Sequence, residues 1–282
     1  RVPAVFDRKR RWRAYDENDF CLELKSNHKS AAGAEGQLRK QFEAERDEGM
    51  MMQMPIAKAK ERYGDRLRIA PLGAIAKGDD SLRTLHDGTH GAGVNPNLRV
   101  RDQLRCSGSS DIKHAIGELE SRPGRSWGLT ADVSRAHRRY KHKEEHWGLM
   151  ACQLDDLEEV WLNLVGTFGI GCASYWWTRL FSIICRCASS LLLRDAAFQM
   201  LYADDLNWMT SGERGISAVT VALFFMSLVG TPSTWKKMAG GFTYGWVGYE
   251  ISLEQHELGI SLERANWLCD WIRKSLDSEH VL

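Results

Sequence analysis

The sequence predicts an α+β fold in which an antiparallel sheet is backed by helices. Three observations predict it. Leu201-Tyr202-Ala203-Asp204-Asp205-Leu206 reads as a strand-turn-strand, with Phe198 to Tyr202 running apolar in and Leu206 to Met209 running mostly apolar out. A second apolar run, Trp127-Gly128-Leu129-Thr130-Ala131, ends on the isolated acid Asp132. Helical stretches are expected near Ala173 to Arg194 and Ser217 to Val229.

Taken in order, residues 1–76 are charged and partly helical, with a helix around Gln37 to Glu48 and a Gly/Ala/Ser linker over Ser30 to Gly36. Residues 77–125 form a second region, closed by the turn Arg122-Pro123-Gly124-Arg125, which delivers the chain to the Asp132 strand. Residues 126–250 form the largest region, with an insertion near 138–165. Within the insertion, Trp147 to Leu154 and Val160 to Val165 read as paired strands on either side of the acidic loop Asp155 to Glu159. Residues 251–282 complete the chain, and no internal repeat is evident.

Composition bounds the function without naming it. A chain of 282 residues can bury a substantial core. Its net charge of +1 gives no argument for a polyanionic partner, so any such argument must come from distribution. The run Arg8-Lys9-Arg10-Arg11-Trp12-Arg13 reads as a solvated tail. Arg135, Arg138, Arg139, Lys141 and Lys143 follow Asp132 directly and would face a phosphate backbone, conferring affinity rather than sequence preference.

Seven cysteines lack Cys-x-x-Cys spacing, and Cys185 and Cys187 read as small buried residues of a helix. This suits a reducing compartment, hence an intracellular protein of cytoplasm or nucleus. No secretory signal opens the chain. The longest apolar stretch, Phe181 to Leu193, is too short for a bilayer and is broken by Arg186, so no membrane is expected. The chain begins at Arg1 without Met, and a fragment of a longer polyprotein is expected. His86 and His90 have zinc-like spacing, but Gly88 and Gly91 argue for a loop. His137, His142 and His146 lie beside basic residues rather than acids or cysteines.

The acids carry the chemistry. Adjacent aspartates repel each other and resist desolvation, so a bare Asp-Asp is an ordinary polar turn. Hydrophobic flanks on both sides make that reading weaker for Asp204 and Asp205. A divalent cation turns the liability into an advantage, because Mg²⁺ takes hard oxygen ligands and keeps substrate phosphates in its shell. Asp132 supplies a third carboxylate. Two ions ~3.5–4 Å apart could then activate a hydroxyl and neutralise a triphosphate in an in-line displacement.

Tyr202-Ala203-Asp204-Asp205 resembles the Tyr-x-Asp-Asp signature of reverse transcriptases, and Asp132 resembles their first palm aspartate. RNA-dependent RNA polymerases more often have Gly where Ala203 stands. The stretch from Ala74 to Arg83 resembles the fingers hairpin of retrotransposon enzymes, in which Lys77 and Arg83 would grip the incoming triphosphate. Ala136 matches the family, whereas His137 stands where an aromatic usually excludes a ribose 2′-hydroxyl. Gly166-Thr167-Phe168-Gly169-Ile170-Gly171 resembles the Phe-Gly segment whose small residues let backbone approach a base pair, with Ser174 in place of Pro. Gly230 to Lys237 resembles the motif whose lysine lies near pyrophosphate, leaving Lys236 and Lys237 both open. Phe242 to Gly248 resembles the primer-grip region.

The ordered set spans roughly Lys77 to Arg264 and is similar to the LTR-retrotransposon, gypsy-like branch. It implies a right-hand polymerase with fingers at 77–125, a palm at 126–250 and the start of a thumb at 251–282. The implied reaction is two-metal, template-directed DNA synthesis with Mg²⁺, Mn²⁺ being a substitute. Asp132, Asp204 and Asp205 would be the ligands, and RNA or DNA template, primer and dNTPs the partners. The alternatives are an inactive or domesticated nucleic-acid-binding relic and a palm-like nucleotidyl cyclase.

Overall fold

The computed structural model describes residues 26–77, 81–155, 157–191 and 196–277. The basic run from Arg8 to Arg13, the Gly78–Asp80 part of the hairpin and Arg194 lie outside these residues.

The described residues open with helices α1 (Lys29–Ala32) and α2 (Glu35–Asp47), strand β1 (Met51–Pro55) and helix α3 (Ile56–Tyr63). Strand β2 (Ile69–Ala70), the hairpin β3 (Leu72–Ala76) and β4 (Leu82–His86), and helices α4 (Val94–Asn97) and α5 (Ser109–Glu120) follow. Next come β5 (Ser126–Asp132), β6 (Ala151–Cys152), β7 (Glu159–Asn163) and the long helix α6 (Ala173–Leu191). The hairpin β8 (Ala197–Tyr202) and β9 (Asp205–Ser211) leads into α7 (Gly212–Leu228). The chain then runs through β10 (Ala239–Gly241), β11 (Thr243–Trp246), β12 (Tyr249–Ser252), β13 (Glu257–Ile260) and α8 (Leu262–Asp277). No helix among the described residues is long and apolar enough to cross a membrane.

Two compact units result. The first comprises the described parts of Arg1–Leu104 and Arg135–Arg179, the second those of Arg105–Ser134 and Leu180–Leu282. The first unit holds the four-stranded sheet β1-β7-β6-β2 and the β3-β4 hairpin. The expected linker at Ser30 to Gly36 narrows to Gly33-Ala34 between the end of α1 and the start of α2, because Ala31 packs in one buried cluster with Leu72 and Ala74 and is only 1% exposed. The expected strand from Trp147 shortens to Ala151–Cys152, preceded by a 3-10 segment at Glu144–Met150. Gly148 there lies so close to the Tyr63 ring that a Cβ would run into it.

The second unit is built on the antiparallel sheet β10-β5-β9-β8, and a second antiparallel sheet, β11-β12-β13, accompanies it. Helix α5 begins where the Asp111 carboxylate accepts the Gly108 N–H at 2.9 Å, tying down one unpaired donor of the first turn. Ile112, Ala115, Ile116 and Leu119, at i, i+3, i+4 and i+7, bury one face against Met200, Met209, Trp246 and Ile251. Each large side chain in that stripe contributes about 1.5–3 kcal/mol. Because side chains alternate along a strand, Gln199, Trp208 and Thr210 point to the opposite face. There the Gln199 amide donates to the α6 carbonyl of Cys185 at 2.8 Å, and Gly215 lets α7 approach Thr210. The β8-β9 hairpin is thus braced from both sides.

Candidate active site

The acid pair sits at the end of that braced hairpin. Tyr202 and Asp205 are cross-strand partners, joined by the two-residue connection Ala203-Asp204. Ala203 takes a left-handed φ of +54°, a conformation that usually favours glycine. On the other side of β9, Asp205 faces Asp132 as its register partner. Tyr202, Asp205 and Asp132 therefore project from one face of the sheet, and the Val133 N–H donates to the Asp204 carbonyl at 3.3 Å.

The segment around Pro232 runs alongside the end of β5. Ser134 N–H donates to the Pro232 carbonyl and Thr234 N–H to the Asp132 carbonyl, both at 2.8 Å. This path carries Lys237 to the acids, where its Nζ lies 2.9 Å from Asp132 Oδ2. Of the two lysines left open by the sequence, Lys237 makes that ion pair, while Lys236 sits exposed one position earlier in the same 3-10 turn.

Two positions along β9 from Asp205, buried Asn207 accepts the Tyr244 hydroxyl at 2.9 Å. Gly128 leaves room for the Tyr244 ring. Sequence reasoning missed this anchor. Its signal is the i+2 spacing, which puts Asn207 on the same face as Asp205.

In the first unit, Arg83 of β4, Phe168 and His137 gather. The Arg83 guanidinium lies 5.1 Å from the Phe168 ring centre, and the His137 ring lies 5.6 Å from it. The Phe168 carbonyl accepts the His86 N–H at 2.9 Å. Gly169, at φ +102°, brings backbone so near His86 that a Cβ would collide with its carbonyl oxygen. Ala136 is buried, and Lys77 stands beyond the end of β3, its N–H donating to the Ser81 carbonyl at 2.8 Å.

The expected basic face after Asp132 is corrected at one position. Arg138 is turned inward, 10% exposed, donating to Asn163 Oδ1 at 2.6 Å and paired with buried Glu45. The zinc-like histidines go their own ways: His86 is buried in β4, while His90 and neighbouring amides bind the Asp87 carboxylate. Burial of Asp87 opposes ionisation, but these hydrogen bonds and that of His28 outweigh it and bring its pKa down to about 2.

No family model matches the sequence, and no curated protein matches it. Solved structures do match. The chain is similar to a foamy viral protease-reverse transcriptase in complex with dsDNA, at TM-score 0.63 and 13% identity, over 87% of this chain and 45% of that one. The same kind of enzyme in complex with an RNA/DNA hybrid matches at TM-score 0.63 and 13% identity, over 87% of this chain and 29% of that one. A third foamy viral structure with double-stranded DNA matches at 12% identity, over 86% of this chain and 37% of that one. The fold is reverse transcriptase-like. The chain spans less than half the length of these relatives, and at such identity the likeness is one of fold.

Within this reverse transcriptase-like fold the acid end is electrostatically unbalanced. Asp205 resists ionisation, first because it is partly buried and then because Asp204 and Asp132 repel its charge. Lys237 opposes the effect, yet the Asp205 pKa is still pushed up to about 6. Among the described residues, no three His, Cys, Asp or Glu side chains stand as a ready-made metal-binding group. The donor chemistry nonetheless fits a hard dication: three carboxylates share one sheet end, with one ammonium paired to Asp132.

Proposed function

We propose that this chain is the reverse transcriptase domain of a retroelement, extending a primer 3′-hydroxyl with dNTPs under the direction of an RNA or DNA template. The observation that carries the reading is the meeting of Asp132, Asp204 and Asp205 at one sheet end, on a reverse transcriptase-like fold. The foamy viral enzymes crystallised with dsDNA and with an RNA/DNA hybrid support nucleic acid as the partner. In this reading the second unit's β10-β5-β9-β8 sheet is the palm, the β3-β4 hairpin belongs to the fingers, and α8 begins a thumb. The gypsy-like branch is proposed on the motifs alone.

Asp132, Asp204 and Asp205 would hold two Mg²⁺ ions, or Mn²⁺ in their place. Once bound, the ions supply a primer hydroxyl of lowered pKa and neutralise charge at the phosphates. Lys237, released from Asp132, carries its ammonium toward the leaving pyrophosphate. Lys77 and Arg83 hold the triphosphate, and Phe168 and Gly169 line the base pair. His137 faces the sugar, bulky enough to act as a gate and polar enough to bond a hydroxyl. The primer oxygen bonds to the α-phosphorus as the bond to pyrophosphate breaks.

Primer extension on RNA and DNA templates tests this. Asp204→Asn should lower extension by a factor on the order of 10³, since several kcal/mol of charge stabilisation is removed, and leave the melting temperature unchanged. Undiminished extension by that variant would remove the metal assignment. The Lys237–Asp132 ion pair favours a second reading, a nucleic-acid-binding relic. In that case the wild-type chain binds a hybrid duplex but never extends it.

A further inference from the structure

Helix α7 is apolar on both of its long faces. Gly215, Ala218, Val219, Ala222 and Met226 are buried, on the face that Gly215 brings up against Thr210 of β9. Ile216, Val221, Phe224 and Leu228 lie on the opposite side, with Phe224 64% and Leu228 69% exposed. Val229, just past the helix end, is exposed as well. A helix that is apolar all round belongs inside a core, and a contiguous exposed apolar patch marks a contact surface. Between Arg214 and Lys236 the sequence carries no charged residue and no histidine.

We infer that this face of α7 is an interface between two copies of this chain, the two helices lying antiparallel about a two-fold axis level with Ala222. The face is self-complementary. Ser217, Thr220 and Phe224 follow one another along its middle, so its first half is small and its second half, with Phe224 and Leu228, is bulky. In the antiparallel pair Phe224 seats over the partner's Thr220, and Ile216 meets the partner's Leu228. Each copy gives the ring and receives one, as a two-fold interface requires.

The absence of charge selects this occupant. A phosphate backbone would meet no cation on the face, and an anionic lipid surface would find no basic flank beyond Arg214. A charged partner surface would be desolvated without a counter-charge, whereas a second copy brings an equally uncharged one. Covering the five exposed side chains and the small residues between them on both copies removes on the order of 1,000 Å², the lower limit for a specific interface. Such a dimer is dynamic, in the micromolar range, rather than obligate. Self-association of this kind is independent of whether the chain polymerises, since none of these residues lies among the acids.

Sedimentation equilibrium of the intact chain across the micromolar range tests the interface. A monomer–dimer equilibrium is expected for the wild type. Phe224→Glu and Thr220→Lys should each weaken it at least about a hundredfold, because each homodimer would bury two unpaired charges. Both positions are exposed, so circular dichroism melts of the two variants should match the wild type. Mixing the two variants in equal amounts should restore dimers, since the introduced carboxylate and ammonium then face each other across the axis. A wild type that stays monomeric at every concentration overturns the inference, as do dimers that both variants leave intact. Failure of the mixture to associate overturns the antiparallel pairing. Wild-type binding to phosphatidylcholine vesicles that Phe224→Glu abolishes, without any dimer, would make lipid the occupant and overturn the inference too.

Discussion

In the second unit the aspartates are carried by backbone register: Asp132 and Asp205 are partners on adjacent strands, and Asp204 lies in the connection between β8 and β9. In the first unit Arg83, Phe168 and His137 come from a strand, a loop and a 3-10 turn, and ring contacts join them. Ladder hydrogen bonds fix the acids whatever their side chains do. The first cluster depends on close packing near Gly169, where one added methyl has nowhere to go. Substitutions should therefore behave differently in the two places. Changes to the acids alter chemistry and spare the fold, whereas a side chain added at Gly169 alters the fold as well.

The sharpest way to break this contrast is Gly169→Ala. The added carbon meets the His86 carbonyl oxygen, and the backbone must hold φ +102°. A loss of about 3 kcal/mol is expected, read as a lower urea midpoint. Wild-type stability in that variant would show the first cluster to be looser than its packing implies.

How much of this the sequence disclosed follows the same division. The strands flanking the acid pair were expected at Phe198 to Tyr202 and Leu206 to Met209 and form at Ala197–Tyr202 and Asp205–Ser211. Their alternation and turn are local, so the sequence carries them. The helices expected near Ala173 and Ser217 form at Ala173–Leu191 and Gly212–Leu228. Long-range packing was illegible. Gly148 yields to Tyr63 and Ala31 to Leu72, and Lys237 reaches Asp132 from 105 residues away. Arg138 looked like a nucleic-acid contact because its buried partner, Glu45, lies 93 residues earlier.

Phe168→Ala sharpens the comparison at intermediate size. Phe168 is 43% exposed, so truncation should hardly move the melting temperature. It removes the Arg83 and His137 ring contacts, worth about 1 kcal/mol, and under the proposed polymerase function should raise KM for dNTP about fivefold. A large melting shift with unchanged KM would make the residue structural.

The smallest effect belongs to the acid hairpin itself. Ala203→Gly relieves a left-handed backbone that costs about 1 kcal/mol, partly offset by the freer unfolded chain. The urea midpoint should rise slightly or hold. A clear fall would mean that the turn is unstrained.

Titration of Mn²⁺ into the intact chain, followed by electron paramagnetic resonance at several pH values, probes the acid end directly. The fold favours protonated Asp205, holding its pKa at about 6, so that contribution to stability is present at low pH and lost as pH rises through about 6. A dication takes the ionised form. Binding should therefore be firm near neutral pH, weaken as pH falls through about 6, and vanish in Asp132→Asn and Asp205→Asn. Equal binding by wild type and both variants, or none by wild type, would contradict a shared cation site on these three aspartates.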